Sequence, residues 1–323
     1  MTTVVRVKTQ GTVEQFEVAE VELPPPAADE VRIRQTAIGV NFVDIYQRSG
    51  LYPMPPANIP GVEGVGVVAA LGASVTSVKA GDRIAYAGAP VGAYAAERNL
   101  PAWRAVKLPD SLSDEAVASS FVKAITAHML LFRVYPVASG TTLLVHSAAG
   151  GVGQLLTRWA NHLGATVIAT VGSEAKAAIA RQAGASHVIV GRDADFAQAV
   201  GDLTGKRGVD VAYDGVGGAT LAKTFACVRP FGVVASTGQA GGPIPPVDVS
   251  DLGPRRSLSL ARPSVMAYMN ETEAYRAAAD AALAGIASGI LKVSGQAYPL
   301  TDAARAHADL EAGRTSGALY LKP

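Results

Sequence analysis

A chain of 323 residues, 49% hydrophobic and only 6% aromatic, carries enough apolar material for roughly two domain cores. Its 28 basic and 27 acidic residues leave a formal net charge of +1 with no long run of one sign, which argues against nucleic acid or an anionic membrane surface as a partner. The single cysteine, Cys227, excludes an intramolecular disulfide and a cysteine-rich metal site; in TFACVRPFG, with no histidine nearby, it is expected to be a packed thiol.

The opening MTTVVR lacks the charged and apolar regions of a signal peptide. No run of roughly 18 uninterrupted apolar residues reads as a membrane span, so no membrane partner and a cytoplasmic location are expected. Residues 1–120 are β-rich. The β-branched runs VVRV, VEQFEV, EVRIRQTAIGV and GVGVVAAL are broken by Pro24-Pro25-Pro26 and by the prolines from Pro53 to Pro60, a spacing that predicts a barrel-like domain. Near residue 114 the texture changes. SDEAVASSFVKAITAHMLLF places apolar residues at helical intervals, with Ser113 able to cap and acids in the first turn.

From there strands and helices alternate. TTLLVH, ATVIATV, HVIV, VDVAYD and GVVAST read as strands, and QLLTRWANHLG and EAKAAIARQAG as helices closed by Gly164 and Gly184. This rhythm predicts an α/β, doubly wound parallel sheet. After about residue 260 the pattern is irregular until SGALYLKP, a strand expected to return to the first domain. The nucleotide domain, 121–265, then reads as an insertion between 1–120 and 266–323.

The sharpest motif is LLVHSAAGGVGQLLTRWA. An apolar strand enters Ser147-Ala148-Ala149-Gly150-Gly151-Val152-Gly153, and a helix follows at once. Glycines there permit a tight turn and close backbone approach to a pyrophosphate, and the helix N-terminus offers unpaired amides to the anion. The next strand ends in Val171-Gly172-Ser173-Glu174-Ala175-Lys176. No acid stands where an NAD enzyme binds the ribose 2′-hydroxyl; Ser173 and Lys176 favour a 2′-phosphate instead, provided Glu174 points away.

With these motifs stand AIGVNFVDIYQRSGLYPMPP (37–56), AGDRIAYAGAPVGAYAAER (80–98), ASSFVKAITAHMLL (118–131), VDVAYDGVGG, SLSLARPSVMAYM (257–269) and LEAGRTSGALYLKP. Together they resemble the quinone oxidoreductase, zeta-crystallin-like branch of the medium-chain dehydrogenase/reductase superfamily. The most specific block is Asn41, Asp44, Tyr46, Arg48, Gly50, Leu51 and Tyr52. The resemblance implies a Rossmann sheet inserted into a GroES-like β-barrel catalytic domain, and NADPH as cofactor. It implies that Asn41 and Thr126 lie near the nicotinamide, that Gly215, Thr237, Gly238 and Gln239 line the cofactor trough, and that Lys123 lies near a ribose.

Zinc-dependent relatives need a Cys after the AxGV-type turn and a His in a GHE motif. Here those positions hold Asn41 and Val62, so no metal is expected. Three departures bear on the cofactor. Ser147 replaces the usual Ala, Gly191 stands where many members carry Tyr, and Gly313 stands where Arg is frequent, with Arg314 next. NADPH preference therefore rests on Ser173 and Lys176, with Arg192 as a further cation.

Asn41, Tyr46 and Tyr52 are the catalytic candidates. Either tyrosine could hydrogen-bond a quinone oxygen, or simply pack with a satisfied hydroxyl. Asp44 reads as structural, His128 as structural or cofactor-adjacent, and Arg48 as turned away from Tyr46. The expected reaction is two-electron reduction of a quinone by NADPH. The alternatives are reduction of an activated alkene (enone or enoyl thioester) and a non-catalytic NADPH-binding or RNA-binding role. The apolar SLSLARPSV, as a terminal strand, suggests a homodimer.

Overall fold

The computed structural model describes residues 1–254 and 256–323 and divides into two compact units, Met1–Ile125 with Met266–Pro323, and Thr126–Val265. In chain order the first unit opens with β1 (Thr2–Val7) and β2 (Phe16–Val21), an antiparallel pair. Then come β3 (Glu30–Val40), α1 (Phe42–Ser49), β4 (Glu63–Leu71), β5 (Arg83–Ala87), β6 (Glu97–Pro101) and β7 (Val106–Lys107). The long strand β3 is the hub: it pairs antiparallel with both β4 and β6, and β4 passes the sheet on to β5 and β7. Its inward residues Val31, Ile33, Ile38 and Val40 build the core with Ile84, Tyr86, Tyr94 and Leu100.

Helix α2 (Asp114–His128) begins where the sequence changes texture, and Ser113 Oγ accepts the Ala116 N–H at 3.2 Å. The helix continues from Met129 to Val134 with π-type winding. There the Leu130 carbonyl accepts from Tyr135 N–H and also from the Tyr213 hydroxyl at 3.0 Å, so the wider winding is tied to the neighbouring sheet of its own unit. Residues 114–134 are long and apolar enough to cross a membrane by length and composition, but most of that surface is buried inside the protein, as in a core helix.

The second unit holds β8 (Thr142–Val145), α3 (Gly151–His162), β9 (Thr166–Val171), α4 (Glu174–Gln182), β10 (His187–Val190), α5 (Phe196–Leu203), β11 (Val209–Asp214), α6 (Thr220–Phe225), β12 (Val228–Ser236) and β13 (Ser259–Ala261). All six strands are parallel, in the order β10-β9-β8-β11-β12-β13. The order reverses about β8, so the crevice beyond the carboxyl end of β8 is the topological switch point of a doubly wound sheet. Of SLSLARPSV only Ser259–Ala261 pairs, forming one edge of this sheet.

The chain then returns to the first unit. Short α7 (Val265–Tyr268) and α8 (Thr272–Ala287) precede β14 (Gly295–Pro299), α9 (Ala303–Glu311) and β15 (Ala318–Lys322). β15 pairs antiparallel with the end of β3 and parallel with β14. The 16-residue α8 lies where the sequence pattern looked irregular. Its stretch TEAYRAAADAALAGIA is so rich in alanine that helix propensity, and not an apolar stripe, is its local signal.

Candidate active site

The nucleotide end of the second unit is built from strand ends and glycines. Gly150 caps α3 in extended conformation, and Gly151, Val152 and Gly153 form its first turn, leaving early backbone amides available to an anion. Gly153 is required by close approach: a Cβ there would lie 2.4 Å from the Ser147 carbonyl oxygen and 2.7 Å from Ala148 Cα. Ser147, in place of the usual alanine, sits in the left-handed region at φ 54°.

At the end of β9, Ser173 caps α4 and accepts the Lys176 N–H at 3.4 Å, which leaves its hydroxyl proton to give. Arg192 reaches the same corner, its Cγ 3.5 Å from where a Gly172 Cβ would be. Glu174 is exposed and pairs with Arg181 at 3.9 Å, further along α4. Gly191 has φ 117°, a conformation that a tyrosine would adopt only with strain. Arg314 donates from Nε and from Nη2 to Asp309 Oδ1, at 2.9 and 2.7 Å.

Gly215, Thr237, Gly238 and Gln239 do come together where β11 and β12 end. Thr237 N–H donates to the Asp214 carbonyl at 2.7 Å, and a Cβ on Gly238 would lie 2.8 Å from the Gly215 carbonyl oxygen. Thr126 is half-buried on α2, and His128 packs on Phe132 and Trp159 with ring centroids 4.8 and 5.7 Å away.

Beneath this end lies a buried network that sequence reasoning missed. His146 Nδ1 is 2.9 Å from Thr170 Oγ1, and Nε2 is 3.0 Å from Thr224 Oγ1. Thr224 donates to Asp214 Oδ2 at 2.9 Å, and Asp214 Oδ1 accepts the N–H groups of Val216 and Gly217, each at 2.9 Å. Thr224 has one hydroxyl proton, and the carboxylate is a stronger acceptor than the Thr220 carbonyl. His146 therefore carries its proton on Nε2 and accepts from Thr170 at Nδ1, and burial lowers its pKa and keeps it neutral. The signal was present in the sequence: three neighbouring apolar strands each carry a polar residue at or next to their carboxyl end, His146, Thr170 or Asp214.

In the first unit Asn41 is the hinge between β3 and α1. Its N–H donates to Asp44 Oδ2 at 2.8 Å, which secures the start of α1. Its side chain meets two buried charged groups, with Nδ2 donating to Glu63 Oε1 at 2.9 Å and Oδ1 accepting from Lys123 Nζ at 2.9 Å. Glu63 and Lys123 pair at 3.5 Å, and Glu63 Oε2 accepts the Val122 N–H at 2.9 Å. Glu63 is the residue after Val62 in GVEG, and its part was not read from the sequence.

Asp44 is fully buried. Burial pushes its carboxyl up to about 7, and the neighbouring Glu63 charge adds to the rise against the Asn41 N–H, Lys123 and Tyr94. The Tyr94 hydroxyl lies 3.3 Å from Asp44 Oδ2 and 2.8 Å from His307 Nε2. Burial, with Arg48 adding to it, brings His307 down to about 3. Arg48 does turn away from Tyr46, toward the Gly11 carbonyl and Glu311. Tyr46 is buried on α1, half-buried Tyr52 follows the helix, and their rings meet edge to face at 5.2 Å.

A doubly wound parallel sheet with a glycine-turn nucleotide end, accompanied by an antiparallel barrel unit, defines a medium-chain dehydrogenase/reductase, an oxidoreductase class. Residues 27–110 match the family model described as alcohol dehydrogenase GroES-like domain, and residues 151–283 the one described as zinc-binding dehydrogenase. Quinone oxidoreductase 1 of Escherichia coli is 38% identical over 328 aligned positions, covering all of both chains. A 2-haloacrylate reductase of a Burkholderia species is 39% identical over 97% of both. The crystal structure of E. coli quinone oxidoreductase complexed with NADPH superposes with a TM-score of 0.96 at 38% identity, covering 99% of this chain and 100% of that one. The chain belongs to the quinone oxidoreductase family.

Proposed function

We propose that this protein reduces a small electrophile, a quinone foremost, with NADPH and without a metal. The observation that carries the reading is the corner beyond β9, where no acid ends the strand, Ser173 keeps a hydroxyl to give, and Lys176 and Arg192 are near while Glu174 leans to Arg181. That donor set suits a phosphate dianion on a ribose and not a bare 2′-hydroxyl. The NADPH in the related E. coli structure supports the same choice. Gly150, Gly151, Val152 and Gly153 would cradle the pyrophosphate; Gly172, Ser173 and Lys176 the 2′-phosphate end; and Gly215, Thr237, Gly238, Gln239, Thr126 and Asn41 the remainder.

When bound, NADPH supplies a hydride from its dihydronicotinamide ring. The chain's own residues position and exclude. Tyr46 and Tyr52 would hydrogen-bond an oxygen of the acceptor, and Asn41 would orient the reacting groups. The reduced oxygen can draw its proton from water, so neither tyrosine need be an acid. Replacing either by Phe is expected to raise KM with a loss in turnover well below the roughly 10²- to 10⁴-fold of a lost general acid. Single-turnover rates at saturating NADPH and quinone check this, and a thousand-fold drop would make that tyrosine a proton donor.

Lys176→Ala is expected to weaken NADPH binding by about 1–3 kcal/mol and leave NADH binding almost unchanged. Equal losses for both coenzymes in a titration would remove Lys176 from the 2′-phosphate. For the metal, Asn41 and Val62 at the ligand positions predict no stoichiometric zinc and activity that survives chelators. Elemental analysis finding about one zinc per chain would contradict that.

The alternative acceptor is an activated alkene. The kinship with a 2-haloacrylate reductase favours it, because a haloacrylate carries its double bond conjugated to a carboxyl group. Steady-state assay with NADPH against paired quinones and enones separates the two readings.

A further inference from the structure

We propose that Glu63 and Lys123 are positioning residues that lock the Asn41 carboxamide into one of its two flips. A carboxamide has two donor protons and two acceptor lone pairs, and its ends are nearly identical in shape, so only its partners decide which way it faces. Here the partners decide without ambiguity. Glu63, 1% exposed, presents an acceptor to Nδ2, while Lys123, 7% exposed, presents a donor to Oδ1. Turning the amide over would set NH₂ against ammonium and oxygen against carboxylate, both inside the protein, where unpaired charge is costly.

The clamp is itself anchored on both sides. Glu63 Oε2 is held by the Val122 N–H, on the turn of α2 that carries Lys123, and Lys123 Nζ also lies 3.4 Å from the Val40 carbonyl. Gly39 makes the room, since a Cβ there would lie 2.2 Å from Glu63 Oε1 and 2.7 Å from the Ala118 carbonyl oxygen. Glu63 must accept at both oxygens, from Val122 on one and from Asn41 and Lys123 on the other, so a carboxylate fits and a carboxamide does not. With the Lys123 and capping-box contacts on Oδ1, it is the second Nδ2 proton of Asn41 that remains for a ligand, on the side that the clamp has chosen.

The inference rests on the reading of Asn41 as a ligand-facing group, and its test reads the two separately. The Asn41 side-chain amide is identified in ¹⁵N spectra of the whole protein by its loss in Asn41→Ala. Its hydrogen exchange and NADPH turnover are then measured in wild type, Lys123→Met and the double variant Glu63→Gln/Lys123→Met. The double variant removes both charges together, so no unpaired carboxylate is left to unfold the barrel unit. In it the carboxamide that replaces Glu63 must put its oxygen on the Val122 N–H. Its own NH₂ then turns toward Asn41 and forces the Asn41 amide over.

Expected are exchange of the Nδ2 proton about ten-fold faster in the double variant, with Lys123→Met between it and wild type because Glu63 still accepts from Nδ2, and a lower kcat in the double variant. Equal protection in all three proteins overturns the clamp. Lost protection with unchanged kcat overturns its positioning role while the oxidoreductase reading stands. Absence of turnover in wild type refutes the functional reading alone, because the exchange measurement still judges the clamp.

Discussion

Gly153→Ala is expected to abolish tight nucleotide binding while the neighbouring Gly150→Ala is tolerated. The added Cβ at 153 would meet only backbone, with the Ser147 carbonyl oxygen at 2.4 Å, Ala148 Cα at 2.7 Å and the Ala148 carbonyl carbon at 3.0 Å. No side chain can swing aside, so the loop or the first turn of α3 must shift. Such overpacking costs about 1–3 kcal/mol of stability. The larger effect falls on binding. The N–H groups that would face a pyrophosphate belong to this turn, and each charge-assisted bond is worth about 1.5–3 kcal/mol, so displacing two of them weakens NADPH by about a hundred-fold or more. At Gly150 an added Cβ would touch the Ser147 carbonyl oxygen at 3.3 Å, and φ is an ordinary −75°. Calorimetric titration of both variants with NADPH, with circular dichroism as a check on folding, decides the matter. Equal affinities would show that the close approach at 153 does not shape the anion site.

The second expected result is a pair of opposed pH dependences inside the barrel unit. Asp44 is raised from 3.8 to about 7, so the folded protein keeps a proton that the unfolded chain has released. Stability from this group is full below about pH 4 and falls as pH rises toward 7, by about 4 kcal/mol for the whole shift. His307 is lowered from 6.5 to about 3, so between these values the unfolded chain binds the extra proton. Stability from His307 therefore rises with pH over that window, by about 5 kcal/mol in all. Between about pH 4 and 6.5 the two slopes nearly cancel, and the wild type should look almost pH-independent.

Each variant exposes the other group. In Asp44→Asn the His307 slope remains, and stability should climb with pH. In His307→Gln the Asp44 slope remains, and stability should fall as pH rises. Denaturant melts at several pH values between about 4 and 7 measure both slopes. Two variants with parallel profiles would mean that the pair does not titrate as its burial demands. Tyr94, hydrogen-bonded to both groups, explains why both can be buried: at pH 5 each is uncharged, and each retains a partner on one side.

Much of the nucleotide unit was legible in the sequence because its signals are local. A parallel strand covered on both faces is a short apolar run, as in TLLV and TVIATV, and a helix that opens on a glycine turn announces itself in adjacent residues. Chemistry of single residues was equally readable: one cysteine, with Asn41 and Val62 at the ligand positions, is what the expectation of no zinc rests on. What the sequence could not show is which distant residues share a buried space. Asn41 meets Glu63 22 positions away and Lys123 82 away, and Tyr94 meets His307 across 213. These meetings depend on the register of β3 against β4, on where α2 packs, and on the return of α9 and β15 to the barrel unit. None of that leaves a period in the chain. Lys123 and Glu63 each look like an ordinary charge on an element, and only the space at Gly39, together with burial that forbids either charge to stand alone, turns them into partners of one amide.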